Sequence, residues 1–384
     1  MKNFSLKNIL ERLISFNTVS DLGNIDLINW IEDFLTKECK NNLEFWRIPD
    51  AANPEKLSLL VQFGGKNNAQ GKGIAFSGHS DVVPVVGQNW TTDAFVMDER
   101  DGKYFGRGVC DMKGFIAVLL AILPEFAAAE LKKPIYLAIS YDEETDCDKA
   151  QAIVEKMREI AADKSLVIVG EPSSLRAVVA QKGIVNMQTD FFGKAAHSSQ
   201  ILQQGCSAIY AAGEFVVDLE KLLYSYAENP LPSGYSTINI GKIYGGTAHN
   251  ILANKCTIEW EIRTTPEHNI EEIISTVDAI ATQQMQKQPL LKIATYPTTD
   301  FVPPLINRDN QEILDLVAEF LTDKNYQQVA YATEAGHFQQ AGMPTIILGP
   351  GDIAQAHQED EWIEIAELER ACDLYRSIIR KYCL

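Results

Sequence analysis

The chain has 384 residues, 46% of them hydrophobic and 22% charged, with a formal net charge of −18. This length suits a large core and two domains, and the charge disfavours a nucleic-acid backbone or an anionic membrane as partner. No apolar run approaches the roughly 20 residues of a membrane span. The N-terminus lacks the apolar core of a signal peptide, and seven scattered cysteines without a C-x-x-C pair predict a reduced, cytoplasmic protein.

Residues 1–40 read as helical, with apolar positions at Leu10, Leu13 and Ile14 and again at Leu27, Ile28, Ile31 and Leu35. From Leu57 to Gly170 buried strands alternate with helix. Leu57–Phe63, Ile74–Ser77, Ile135–Tyr141 and Leu166–Gly170 are predicted strands, and Gly114–Ala129 is an apolar helix among them. The alternation predicts an α/β sheet of parallel character. After Glu171-Pro172 the texture changes. Strands at Ala177–Val179 and Gly183–Phe192, a helix at Ser207–Tyr224, strands at Ser236–Tyr244 and Lys255–Arg263, and a helix at Ile270–Gln286 make an α+β pattern. Residues 177–292 are therefore expected to form an inserted second domain, leaving 1–176 and 293–384 to the first. The α/β pattern resumes with a helix at Asn310–Leu321, a strand at Thr345–Leu348 and a helix at Ile363–Tyr382.

The chemistry gathers at predicted strand ends. His79 and Asp81 follow Ile74–Ser77, and an H-x-D step supplies a metal ligand with a carboxylate to orient it. Asp111 sits at the start of the apolar helix, Glu143 and Glu144 follow the third strand, Glu171 ends the fourth, and His357 lies shortly after the last. Each has a plain structural reading on its own: a helix cap, an acidic turn, a loop carboxylate, a surface histidine. Together they converge where open α/β sheets bind ligands, and like charges crowded there call for cations. Two divalent ions would balance Asp111, Glu144, Glu171 and one hydroxide. The mixture of imidazole and carboxylate suits zinc, cobalt or manganese better than calcium or magnesium. Glu143, beside a ligand and outside the ligand count, is free to handle the proton of an activated water. A thiol hydrolase using Cys110 or Cys147 and a non-catalytic metal-dependent binding protein are the readings from other classes.

The segments S-G-H-x-D-V-V-P (77–84), G-R-G-x-x-D-M-K-G (106–114), D-E-E (142–144) and G-E-P (170–172) resemble, in order, the dinuclear zinc amidohydrolases of the M20 metallopeptidase family. The resemblance implies a zinc-aminopeptidase-like catalytic domain carrying an inserted α+β sandwich that dimerises. It makes Asp111 the bridging ligand, gives one metal His79 and Glu171 and the other Glu144 and His357, has Asp81 orient His79, and makes Glu143 the general acid/base. Phe192–Ser199 matches the family segment whose histidine reaches the partner subunit's active site, so His197 takes that role. Asn250 and Arg263 match substrate-contacting positions, and Glu334 is a candidate partner for a substrate amine. The T-E-A-G (333–336) and A-H-Q (356–358) segments resemble the members that hydrolyse N2-acetyl-L-ornithine in arginine biosynthesis, with succinyl-diaminopimelate hydrolysis or another M20 aminoacylase or carboxypeptidase activity as the alternative. The resemblance thus implies two zinc or cobalt ions, an N-acyl amino acid substrate, a homodimer, and neither nucleic acid nor membrane as partner.

Overall fold

The computed structural model describes residues 5–39, 43–64, 72–160, 162–231, 233–306 and 310–384. The chain divides into two compact units. One comprises Met1–Ala180, Leu305–Gln328 and Thr333–Leu384, the other Gln181–Pro304 and Val329–Ala332.

The first unit opens with α1 (Leu6–Ile14) and α2 (Ile25–Cys39), and continues through β1 (Leu43–Pro49), β2 (Leu57–Phe63), β3 (Ile74–His79), β4 (Asp98–Arg100) and β5 (Lys103–Phe105). Then come α3 (Lys113–Ala127), β6 (Ile135–Ser140), α4 (Ala150–Glu159), β7 (Leu166–Pro172) and β8 (Val178–Gln181). The second unit holds β9 (Gly183–Phe192), α5 (Ala208–Glu228), β10 (Thr237–Gly245), β11 (Lys255–Thr264), α6 (Ile270–Lys287) and β12 (Lys292–Pro297). The last stretch adds α7 (Gln311–Ala318), β13 (Gln327–Val329), α8 (Ala335–Gln340), β14 (Thr345–Gly349), β15 (Trp362–Glu364) and α9 (Ile365–Cys383).

Among the described residues the large sheet runs β1-β2-β6-β3-β7-β14-β8-β13. Its centre is parallel: β3 pairs with β6 and β7, and β7 with β14. The β1–β2, β2–β6 and β14–β8 pairs are antiparallel, so the sheet is mixed rather than wholly parallel. Strands β2, β3, β6, β7 and β14 are buried along their whole length, as unbroken apolar runs between two covered faces require. Helix α3 is buried nearly all round, and only Glu125 on it is exposed. Phe76 of β3 and Phe115 of α3 both pack edge-on against Tyr375 of α9.

The parallel core sets the site. His79 pairs in register with Ser140, so His79 and the 142–144 turn leave the sheet at one edge. Residue 349 pairs with 172 on the next strands, placing Glu171 and the 350–357 segment at the same edge. Gly349 is dictated by this approach: a Cβ there would lie 2.0 Å from the Gly170 carbonyl oxygen.

In the second unit β10-β11-β9-β12 form an antiparallel sheet. Val185, Met187, Ile258 and Ile262 alternate on the strands and join Phe215 of α5 and Val277 of α6 in one apolar core. Strand β12 begins at the residue where the sequence reading ends the insert, and it pairs with β9 from Lys292 to Pro297. Its alternating exposed residues carry too little hydrophobic signal to be read as a strand.

Candidate active site

His79 closes β3 and is buried, its side chain 1% exposed. Its Nδ1 bonds the Asp81 backbone carbonyl at 3.0 Å, with the Asp81 carboxylate at 3.4 Å. The carbonyl is thus the nearer partner, and it leaves Nε2 to face the site. The Asp81 carboxylate has further work. It accepts the backbone N–H of Glu143 and of Glu144, each at 3.2 Å, and the Ser20 hydroxyl at 2.8 Å. One carboxylate therefore ties the 142–144 turn to the end of β3.

Around His79 Nε2 lie Asp111 Oδ1 at 3.1 Å, Glu171 Oε1 at 3.8 Å and Glu143 Oε2 at 3.9 Å. His357 Nε2 stands 2.8 Å from Glu144 Oε2 and 3.5 Å from Asp111 Oδ2. Asp111 thus presents one oxygen to each histidine, the disposition of a bridging ligand. Among the described residues two sets of atoms are compact enough to hold an ion: His79, Asp111 and Glu144, and His79, Glu143 and Glu171. Glu143 falls in the second set beside the two residues the sequence pairs there.

The electrostatics match a cation site. Burial pushes Glu143 and Glu171 well above the usual carboxylate range, and raises Glu144 to about 7. Burial acts on Asp111 in the same sense, but its bonds to His357 and His79 win and hold it below the usual range. Bonds to Asp111 and Glu144 lift His357 to about 10. A cluster that keeps four carboxylates out of water around two imidazoles relieves its strain by taking up positive charge. Among the described residues Glu171 Oε1 is buried with no hydrogen-bond donor, which is the condition of a ligand oxygen. Two imidazoles and carboxylate oxygens at this spacing fit zinc or cobalt.

The other candidates fall in two places. Glu334 precedes α8 in the first unit and is buried, with the Ser77 hydroxyl donating to it at 3.5 Å and burial lifting it to about 7. In the second unit His197 and Asn250 come together. Ser198 N–H donates to the Asn250 carbonyl at 3.0 Å, and His197 bridges Ile251. Both side chains are exposed, and His197 Nδ1 lies 2.9 Å from the Ser199 hydroxyl. Arg263 on β11 is held by Glu261 on the same strand, Nε to Oε1 at 2.9 Å and Nη2 to Oε2 at 3.3 Å.

The thiols do not look nucleophilic. Cys110 donates to the Asp352 carbonyl and Cys147 to the Glu143 carboxylate at 3.1 Å, and burial pushes both well above the usual thiol range. Arg107, inside the 106–114 segment, and Glu361, three residues beyond the 356–358 segment, carry no role in the sequence reading. Here they form a buried ion pair behind Asp111 at 2.8 Å. The signal is a charge inside or just beyond each segment that the ligand count leaves unused.

Among the described residues no helix is long and apolar enough to cross a membrane. Over 371 residues the chain is 32% identical to an acetylornithine deacetylase of Shigella sonnei (strain Ss046), covering 94% of this chain and 92% of that protein. Its fold is similar to that of aminopeptidase PepT from Bacillus cereus, with a TM-score of 0.75 at 19% identity over 98% of this chain and 97% of that one. It is also similar to YXEP of Bacillus subtilis, described as a dinuclear metal-binding peptidase, with a TM-score of 0.68 at 15% identity over 97% and 96%. Residues 75–381 match Peptidase family M20/M25/M40, and with that span and that relative the chain belongs to this family of hydrolases.

Proposed function

We propose that the protein hydrolyses N2-acetyl-L-ornithine to L-ornithine and acetate. The observation that carries this reading is the identity with the Shigella sonnei enzyme along nearly the whole chain, on a site whose hydrolytic side chains are all present. His79, Asp111 and Glu171 would hold one divalent ion and Asp111, Glu144 and His357 a second, zinc or cobalt, whose chemistry is to polarise the acyl carbonyl and lower the pKa of water.

The chain's own residues do the rest. Glu143 lies 10% exposed within reach of the ligand cluster, and burial raises its proton affinity. Its carboxylate accepts a proton from the attacking water as the water oxygen bonds the acyl carbon. It returns that proton to the amide nitrogen as the C–N bond breaks, so acetate and a free amine leave. Cys147 donates to one Glu143 oxygen and orients the carboxylate. His197, supplied by the partner in a homodimer, donates to the developing oxyanion. Arg263 releases Glu261 to hold the substrate α-carboxylate through two parallel bonds, with Asn250 beside it. Glu334, buried beside the Ser77 hydroxyl, would pair with the substrate amine.

The test is amine release from an N-acyl amino acid panel with zinc or cobalt present. N2-Acetyl-L-ornithine should exceed acetyl-L-norvaline in kcat/KM by at least about 100-fold, because a site built for a charged group is left unpaired without it. Faster hydrolysis of N-succinyl-L,L-diaminopimelate would move the protein to the alternative substrate. No turnover of any acyl substrate by the metal-loaded protein would favour a binding role.

A further inference from the structure

We propose that Gln88 is a positioning residue that locks His357 to the anchor of Asp111, so that the two sides of the metal cluster keep one spacing. The inference rests on the two-ion reading above.

The anchor is Glu361. Its carboxylate is fully buried and accepts four bonds: Oε2 from Arg107 Nη1 at 2.8 Å and Gly108 N–H at 3.0 Å, Oε1 from Cys110 N–H at 2.8 Å and Asp111 N–H at 3.0 Å. Three backbone donors of the turn before α3, Gly108, Cys110 and Asp111, are thereby satisfied by one side chain, and the turn that carries Asp111 has one arrangement. Arg107 passes the constraint on. Its Nη2 donates to Gln88 Oε1 at 2.6 Å, and Trp90 Nε1 donates to the same oxygen at 2.9 Å. Two donors on that oxygen fix which end of the amide is nitrogen. The nitrogen then donates to the His357 backbone carbonyl at 2.8 Å.

That last bond matters because of how His357 is held. Packing fixes His79, whose side chain is 1% exposed, whereas the His357 side chain is 52% exposed. The His357 backbone has φ +63°, a left-handed conformation that a non-glycine residue keeps only when its surroundings hold it. The holding is done by the 88–91 segment: Gln88 on the His357 carbonyl, Asn89 N–H on Glu359 Oε2 at 2.8 Å, and Thr91 N–H on Asp360 Oδ1 at 2.9 Å. Of these, Gln88 alone also touches the Arg107–Glu361 pair. Removing it takes away the side-chain link from His357 to the Arg107–Glu361 pair and leaves the bonds that Glu361 accepts in place.

The experiment is calorimetric titration of zinc, and separately cobalt, into chelator-stripped parent, Gln88→Glu, Gln88→Leu, His357→Ala and the Gln88→Glu/His357→Ala double variant. Gln88→Glu keeps the acceptors for Arg107 and Trp90 and sets an oxygen against the His357 carbonyl, so it serves if Gln88→Leu fails to fold. In Gln88→Glu one of two binding events should weaken 10- to 100-fold, the range for loss of a ligand's supporting bond, while the other stays within about threefold of the parent. In the His357→Ala background Gln88→Glu should change neither event further. Equal weakening of both events, no weakening of either, or an added loss in the His357→Ala background would each overturn the proposal. A parent that binds fewer than two ions overturns the two-ion reading first, and this inference with it, before any variant is measured.

Discussion

Glu143 and Glu144 share one backbone anchor, the Asp81 carboxylate, yet their side chains go to different partners. Glu144 meets His357 at 2.8 Å, and Glu143 meets the Cys147 thiol at 3.1 Å. Asp142 at φ +60° supplies the turn that sends the two side chains apart. Glu143→Gln is expected to keep both ions by elemental analysis and to lose about 100- to 10,000-fold in kcat, the contribution of a positioned proton carrier. Glu144→Ala should instead lower metal content at a given free zinc concentration. If the two variants behave alike, Glu143 is a ligand rather than a proton carrier. These residues were legible from the sequence because strand ends and acidic steps are local signals. The Asp81 backbone carbonyl as the nearer partner of His79 was not legible, since it depends on how the loop after β3 turns.

At the scale of elements, α9 closes the first unit over α3 and β3. The Tyr375 hydroxyl donates to the Leu348 carbonyl at 2.6 Å, while its ring packs on Phe76 and Phe115. Tyr375→Phe should cost about 1 kcal/mol, one buried hydrogen bond, and Tyr375→Ala about 3–5 kcal/mol, because an aromatic cavity opens as well. Urea unfolding of both variants separates the two contributions. The thiols of α2 and α9 report pH. Burial raises Cys39 and Cys383 from 9.0 to about 12 and Cys372 to about 11. The folded state keeps these protons while the unfolded chain sheds them near pH 9. Their contribution to stability is therefore complete below pH 9 and is lost as pH rises to 11–12. The urea midpoint should fall between pH 8.5 and 10.5, and Cys39→Ala with Cys383→Ala should flatten that fall. An equal slope in parent and double variant would count against burial of the thiols as its cause. The central strands and α3 were readable as long apolar runs. Strands β4, β5 and β15 were not, being three residues each and partly exposed, formed by pairing with one another rather than by any local pattern.

For the whole molecule, the prediction at this scale is assembly. His197 and Asn250 sit on adjoining exposed loops of the second unit, and no residue of the first unit's cluster lies on that unit. If a homodimer brings His197 to its partner's cluster, a mixed dimer of His197→Ala and Glu143→Ala chains has one intact site. It should then show up to half the parent activity per dimer, while each parent variant alone shows little. With mixing verified by differently tagged chains, activity no higher than either homodimer would rule out catalysis in trans.

What the sequence by itself determined is which imidazoles and carboxylates meet at one edge of the sheet, and the frame that presents them. Residue type and position mark His79, Glu144, Glu171 and His357 after strand ends and Asp111 at a helix start, because parallel strands send their carboxyl ends to one edge whatever the rest of the fold does. Only the tertiary structure decided what holds those residues. Gln88 and His357 are 269 residues apart and Arg107 and Glu361 are 254 apart, so no window of sequence contains either bond. The pairings arise when the 84–91 segment, the turn before α3 and the segment after β14 are folded onto one edge of the sheet. A buried carboxylate there must find its donors wherever the chain delivers them.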